Sequence, residues 1–483
     1  MARCAGGRRR RGGGGGAGAA GALLVALAAV AGAWGGAAGA RGAPRAGAAA
    51  AASRARRGVG EFGGVPSDAS AGAALRNGRA LRAGLEQTAR EGSTLVVPAG
   101  ERYYALNVSL EGVRGAHLSV EGEVWLHGGL EDWPIAGPDD VAHWMHLVDC
   151  EDFRLDGGGK IEGQGHEWWL RSFLNDLPAK SRPKMFQIER SRFVTIEDVE
   201  VKNGPFFHIG FQSTNDVVIR RIKIMVDLVA QRRMFFEHLG VAGEAEDSHA
   251  GLAPWLPLFP LNTDGIDPHG RNYLIEDIFC ENYDDVVAVK PGEIFGDSGC
   301  TGNITVRNAE VVAGVGMSIG SVPPNSRGHC IEDVYFGNVT FKYPLKTVYI
   351  KTNSGDPKGW GTIRNITYEH LRAKDPVLWP IYIGPQQQKE PDGSGDGIWP
   401  PTQPLVDVQG VTVRDMVTTG DLMQAGVLRC NETNPCRDIL FENVHLGGWL
   451  GDLGLDRWSC EHAYGECRNC HPRPKCLKQG LPP

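Results

Sequence analysis

Ile275-Glu-Asp-Ile278, Val306-Arg-Asn-Ala309, Ile331-Glu-Asp-Val334 and Ile363-Arg-Asn-Ile366 spell one pattern: an apolar residue, two polar residues, an apolar residue. Upstream it recurs as Ile196-Glu-Asp-Val199 and Ile219-Arg-Arg-Ile222, downstream as Val413-Arg-Asp-Met416 and Phe441-Glu-Asn-Val444. Short β-branched runs flank the copies, among them Val194-Thr-Ile196, Asn303-Ile-Thr-Val306 and Val411-Thr-Val413. Successive copies start 23, 56, 31, 25, 32, 50 and 28 residues apart. Helical periodicity is nearly absent here, and Gly, Asn and Asp break the strand-like runs. The shorter spacings suit one turn of a solenoid, and the longer ones admit an extra turn or an inserted loop. Propeller blades of ~40–50 residues are longer than these units. The pattern therefore predicts an all-β chain folded as a right-handed parallel β-helix. Residues 71–92, rich in Ala, Leu, Glu and Arg, read as a short helix capping its N-terminal end.

Outward from this core the chain divides into four segments. Residues 1–40 read as a signal peptide, with Arg8–Arg11 before an apolar run ending near Trp34 and small residues at 37–40. The rival is a signal anchor, since Gly and Ala prolong the uncharged run. Residues 41–70 read as a low-complexity linker, 71–450 as the β-helix and 451–483 as a cysteine-rich tail. The stretches 225–260 and 385–405 interrupt the rhythm and read as loops leaving the solenoid wall, where binding walls are built.

Charge narrows the function. The chain of 483 residues has a net charge of −7, but residues 1–60 hold ten Arg and no acid, so the remainder carries 50 − 10 = 40 basic against 57 acidic residues. A nucleic-acid partner needs a basic face, so none is expected. Five Asn-x-Ser/Thr sequons, at Asn107, Asn303, Asn338, Asn365 and Asn431, agree with a secretory route. So do the cysteines: without Cys4 ten remain, Cys430 and Cys436 close a short loop, and Cys460, Cys467, Cys470 and Cys476 crowd the C-terminus. In an oxidising compartment these read as disulfides rather than as a zinc knuckle with His462 and His471.

Acidic stretches stand out at Asn262-Thr-Asp-Gly-Ile-Asp267, Tyr283-Asp-Asp-Val286 and Asp297. Asp264 precedes Asp284 by 20 residues, about one turn, and stacked turns lie ~4.8 Å apart. Asp284 lies nine residues after the anchor Ile275, and Val315 nine after Val306, so Val315 stacks beside Asp284 with Asp264 on its other side. Carboxylates crowded on one face repel, which raises at least one pKa and keeps a proton available. A glycosidic bond needs that division: one carboxylic acid protonates the leaving oxygen and one carboxylate activates water. The alternative for a lone Asp is an Asx-turn or corner ladder, and Asp267 and Asp297 stay with it.

These residues resemble a known family. Asn262-Thr-Asp-Gly-Ile-Asp-Pro268, Asp284-Asp-Val-Val-Ala-Val-Lys290, Gly314-Val-Gly-Met-Ser-Ile-Gly-Ser321 and Tyr349-Ile-Lys-Thr352 are similar, in order and separation, to the motifs of glycoside hydrolase family 28, the polygalacturonases. Upstream, Ile161-Glu-Gly-Gln-Gly165 and Asn203-Gly-Pro-Phe-Phe-His208 fit as well. The resemblance implies a parallel β-helix and inverting hydrolysis. It implies Asp284 as general acid, Asp264 and Asp285 holding and activating water, and Asn262, Tyr349 and Lys351 at the substrate, Lys351 gripping a uronate carboxylate. Inversion ordinarily sets acid and base ~6.5–9.5 Å apart. Two positions depart from the family: Val315 stands at its His and Tyr349 at its Arg. The second loses a bidentate grip that neither Tyr nor Lys copies. His269, Arg271, His329 and Lys346 are candidates for a replacement cation.

The expectation is a secreted, monomeric hydrolase of a pectin-like polysaccharide, polygalacturonate or rhamnogalacturonan. No cofactor or metal is expected, and no membrane contact unless the N-terminal segment remains as an anchor. The alternatives are a β-helix lyase or epimerase, which would use Ca²⁺ held by the carboxylates, and a wall protein that binds carbohydrate without cleaving it. Trp168, Trp169, Phe206, Phe207, Trp255, Trp360, Trp379 and Trp399 are available as sugar platforms.

Overall fold

The computed structural model describes residues 55–238, 240, 262–296, 299–385, 401–421, 425–448 and 458–480. The expected signal segment, most of both expected loops, Asp297, Trp255 and Trp399 lie outside them.

Inward aliphatic and aromatic side chains explain the architecture. Ile196, Ile219, Ile275, Val306, Phe336, Tyr368, Val413 and Phe441 stand in one column, each hydrogen-bonded through its strand to the next coil. All are buried. The rings of Phe336 and Tyr368 stack at 4.8 Å, the spacing of neighbouring strands. Each fully buried side chain of this kind contributes roughly 1.5–3 kcal/mol, so the column is a main source of cohesion. The result is a right-handed parallel β-helix.

One wall is a parallel sheet of eleven short strands, running from Val108–Glu111 through Ile266–Asp267, Asp285–Val289, Gly316–Val322 and Val348–Thr352 to Trp458–Glu461. The other walls are long bent strands such as Arg271–Asn282, Thr301–Ala313 and His329–Lys342. Each bends at residues in the left-handed region. Asp216, Asn272, Asn303, Asp333 and Asn365 form one corner, and Asp198, Asp277, Asn308, Asn338 and Asn443 another, with φ between 50° and 66°. Asn and Asp tolerate this conformation best among residues with a side chain. Their amides also join coil to coil: Asn272 donates to Asp216 at 2.8 Å, Asn303 to Asn272 at 2.8 Å and Asn338 to Asn308 at 2.8 Å.

These corners correct the register read from sequence. Ile331-Glu-Asp-Val334 and Ile363-Arg-Asn-Ile366 pair with each other, but the anchor Val306 pairs with Phe336, not Ile331. Both corners place a polar left-handed residue between apolar ones, so one pattern marks two places. The anchors at 275 and 306 belong to the same corner, and there the register holds.

The helix Ala71–Glu91, capped by Ser70, packs across the first coils as expected. The linker reading fails over Arg56–Gly58, which pairs with Thr94–Val96 as the first strand. The cysteine-rich stretch is not a separate tail: Trp458–Glu461 and Ala463–His471 continue both sheets as the last coil. Disulfides join Cys300–Cys330, Cys430–Cys436, Cys460–Cys476 and Cys467–Cys470. Cys150 and Cys280 are buried and unpaired, so an all-disulfide reading of the ten does not hold. Among the described residues no helix is long and apolar enough to cross a membrane.

Candidate active site

Two adjacent coils of the eleven-stranded sheet bring the acids together. The Gly265 amide donates to Asp285 O at 2.9 Å and the Val315 amide to Asp284 O at 2.8 Å. Val315 and Asp264 therefore flank the Asp284-Asp285 pair, as the nine-residue offset predicts. Asn282 Nδ2 fastens the coils by donating to Thr263 O and Asp285 O, both at 2.9 Å. Gly316 is required by close approach: a Cβ there would meet Lys346 O at 2.3 Å.

Asp264, Asp284 and Asp285 each bring one oxygen within 4.8 Å of the others. Such a cluster could also gather a cation, but two lysines already face it. Asp285 is 1% exposed, accepts from Ser318 Oγ at 2.5 Å and pairs with Lys351 Nζ at 2.5 Å. Asp284, partly exposed, accepts the amides of Asn262 and of Asp285, both at 2.8 Å. Asp264 is 3% exposed; its Oδ2 lies 3.5 Å from Lys290 Nζ, and its Oδ1 has no hydrogen-bond partner among the described residues.

Their proton affinities diverge. Burial raises all three, but for Asp285 the charges of Lys351 and Lys290 and the Ser318 hydroxyl outweigh it and hold the carboxyl below its ordinary value. Asp284 is raised by burial and by Asp285. Asp264 is raised well above the ordinary range by burial, then by Asp284 and Asp267. One carboxyl is thus pushed towards its ionised form beside two pushed towards their protonated form.

The remaining expected residues take different places. Asn262, at φ 61°, donates its backbone amide to Asp284, and its Oδ1 accepts from Arg182 Nη2 at 3.0 Å. Lys351 pairs its ammonium with Asp285. Tyr349 is buried, 5.5 Å edge-on to Tyr382. Of the aromatic platforms, Trp168 and Trp169 are interior, while Phe206 and Phe207 stack at 4.2 Å and remain partly exposed.

Sequence reasoning missed Arg182, Ser318 and the support given by His208. Arg182 lies over the Phe206 ring, binds Pro205 O and orients Asn262. Buried His208, its pKa lowered to about 4 by desolvation, meets Asp264 O through Nδ1 at 3.0 Å. Arg182 has no local signal, because it reaches the site from a coil far upstream. Ser318 was findable: it follows Gly316 by two residues and so faces the same side.

The Glycosyl hydrolases family 28 model matches residues 88–470. The chain belongs to glycosyl hydrolase family 28. The family 28 chain is 27% identical over 368 residues to a polygalacturonase of Juniperus ashei, covering 73% of this chain and 61% of that protein. It is 23% identical over 368 residues to a polygalacturonase of Persea americana, covering 74% and 68%. The chain thus spans about three fifths of the length of the Juniperus relative. Solved structures share the fold: a Thermotoga maritima exopolygalacturonase (TM-score 0.60, 19% identity, 81% of this chain and 87% of that one) and an Aspergillus tubingensis endo-xylogalacturonan hydrolase (TM-score 0.60, 19% identity, 80% and 92%).

Proposed function

We propose that this chain hydrolyses glycosidic bonds of a pectin-like, galacturonate-containing polysaccharide. The observation that carries the proposal is the meeting of three carboxyls, one oxygen of each within 4.8 Å of the others, with Ser318 and Lys351 bound to Asp285. Asp284, protonated and the most exposed, gives its proton to the glycosidic oxygen as that bond breaks. Asp285, ionised against Lys351, takes a proton from the water that attacks the anomeric carbon. Asp264, protonated, holds that water by a hydrogen bond. Proton exchange with solvent then restores Asp284 and Asp285. Both Asp285 oxygens are engaged, by Ser318 and Lys351, which favours a base over a covalent nucleophile and hence inversion.

A second reading has its own support. The oxygens lie within 4.8 Å, closer than the ~6.5–9.5 Å usual for inversion and nearer the ~5–5.5 Å of covalent, retaining enzymes. Proton NMR of the first-formed anomer decides between them. Reducing-sugar release from polygalacturonate and rhamnogalacturonan tests the activity itself: no release from either removes the proposal.

The chain's relatives named polygalacturonase support the substrate class. Four disulfides suit an oxidising compartment, which supports secretion. All site groups come from one chain, so a monomer suffices.

A further inference from the structure

The two departures from the family, Val315 and Tyr349, meet in one place. They pack with Leu345, Val377, Tyr382 and Val427 in a buried cluster, on the side of Asp284 towards later coils. Four cations are candidates to replace the arginine lost at 349, and three are occupied elsewhere. Arg271 donates to Glu332 at 2.9 Å and to Cys300 O at 3.1 Å. His269 Nδ1 accepts the Ser213 amide at 2.6 Å. His329 Nδ1 sits 2.8 Å from Pro323 O.

Lys346 is different. It is buried, at 4% exposure. Its Nζ lies 4.3 Å from the Tyr349 ring centre and 5.6 Å from that of Tyr382. It makes no hydrogen bond or ion pair with any described residue. Lys351 faces the same Tyr349 ring at 4.6 Å, so two ammonium groups share one phenol. Lys351 has Asp285 as counter-ion; Lys346 has none in contact. Burial, then repulsion from Lys351, lowers its pKa to about 7, and Asp285 and Asp284 offset only part. Withdrawing an ammonium from water costs more than two aromatic faces return. An anion arriving from outside the chain would supply the counter-charge that no described residue places in contact with Lys346.

We infer that Lys346 is a specificity-determining residue: it binds the carboxylate of the uronate placed on the later-coil side of Asp284, the role left vacant by Tyr349. The inference rests on the proposed hydrolase reading and names the charge that makes it selective for an acidic sugar. An ammonium reaching a carboxylate as a point charge needs no planar fork, so a tyrosine can stand at 349 and shape the apolar side of the same subsite.

The test compares polygalacturonate with its carboxyl-reduced, neutral counterpart. Lys346→Met is expected to lower kcat/KM on polygalacturonate by about tenfold to a hundredfold, mostly through KM, and to leave cleavage of the neutral polymer within about threefold. Lys346→Arg is expected to restore much of the loss. Equal losses on both polymers, or no loss on either, overturn the inference. Should the unaltered protein release no sugar, the hydrolase reading fails separately, and calorimetric binding of an oligogalacturonate then reads the lysine directly. Weaker binding by Lys346→Met supports the inference. Equal binding, or none by the unaltered protein, overturns it.

Discussion

Replacing Asp284 by Asn removes a proton and keeps the shape, so it separates chemistry from architecture. The carboxylate accepts two backbone amides, from Asn262 and Asp285, at 2.8 Å each. An Asn side chain offers one acceptor and one NH₂, which leaves one buried amide facing a donor. That mismatch costs about 1–3 kcal/mol, so the melting temperature falls modestly and the protein stays folded. The kinetic loss is larger. General acid catalysis supplies roughly 10²–10⁴-fold, or about 2.7–5.4 kcal/mol of barrier. kcat/KM on polygalacturonate is therefore expected to drop by about that factor. The alkaline limb of its pH profile should vanish with it, because the raised pKa of Asp284 sets where the acid loses its proton. The decisive substrate is a galacturonosyl fluoride, whose leaving group needs no proton. On it Asp284→Asn is expected to work within about tenfold of the unaltered protein, the scale left once the general-acid factor is removed. An equal loss on fluoride and polymer would refute the reasoning and make Asp284 a positioning group or a nucleophile.

Lys351→Met removes the main charge holding Asp285 ionised, so the acidic limb of the pH–rate profile should move to higher pH; an unmoved limb would detach Asp285 from the base role. The same pair bears on stability. Asp285, held low when folded, stabilises above the ordinary carboxylate range and loses that contribution as pH falls through its folded pKa, so Lys351→Met should flatten the acid side of a melting-temperature scan. Asp264 has the opposite sign. Its raised folded pKa means that the folded state binds the extra proton, so stability falls as pH rises above about 3.9, at up to about 1.4 kcal/mol per pH unit. Asp264→Asn should melt higher than the unaltered protein by a margin that widens with pH across that window while activity is lost; a shrinking margin contradicts the assignment. Dialysis against EDTA should leave sugar release intact with no ultraviolet-absorbing unsaturated product, whereas loss on chelation together with such a product favours a calcium-dependent lyase.

Much of this was readable in the chain because a solenoid turns sequence separation into distance. Ile275 and Val306 share a corner, so counting nine residues from each put Val315 beside Asp284. The same counting slipped at Ile331 and Ile363, where an identical motif belongs to the neighbouring corner. Side-chain partners were harder to read. Lys351 was expected at the substrate, and the sequence does not show that its ammonium also pairs with Asp285; nor does it show that Lys346, a candidate replacement cation, is buried against two tyrosines. Strand pairing follows a local period, whereas the reach of a long cation depends on where a distant coil ends, which is why Arg182 escaped notice.

The left-handed corners alter what the recurring Asn-x-Thr triplets mean. At such a corner Asn suits the backbone, the next residue points into the core, and the one after points out, where a β-branched Thr suits a strand. Asn303-Ile-Thr305, Asn338-Val-Thr340 and Asn365-Ile-Thr367 are spelled by that geometry. Each of these asparagines already gives its amide nitrogen to the rung beneath: Asn272, Asn308 and Asp333. Carrying a glycan there would disturb the stack. Asn431 stands on a turn after the short strand Gly426–Arg429, and its Oδ1 accepts from the amide and hydroxyl of Thr433. A sugar tree rooted at Asn431 would leave every rung in place.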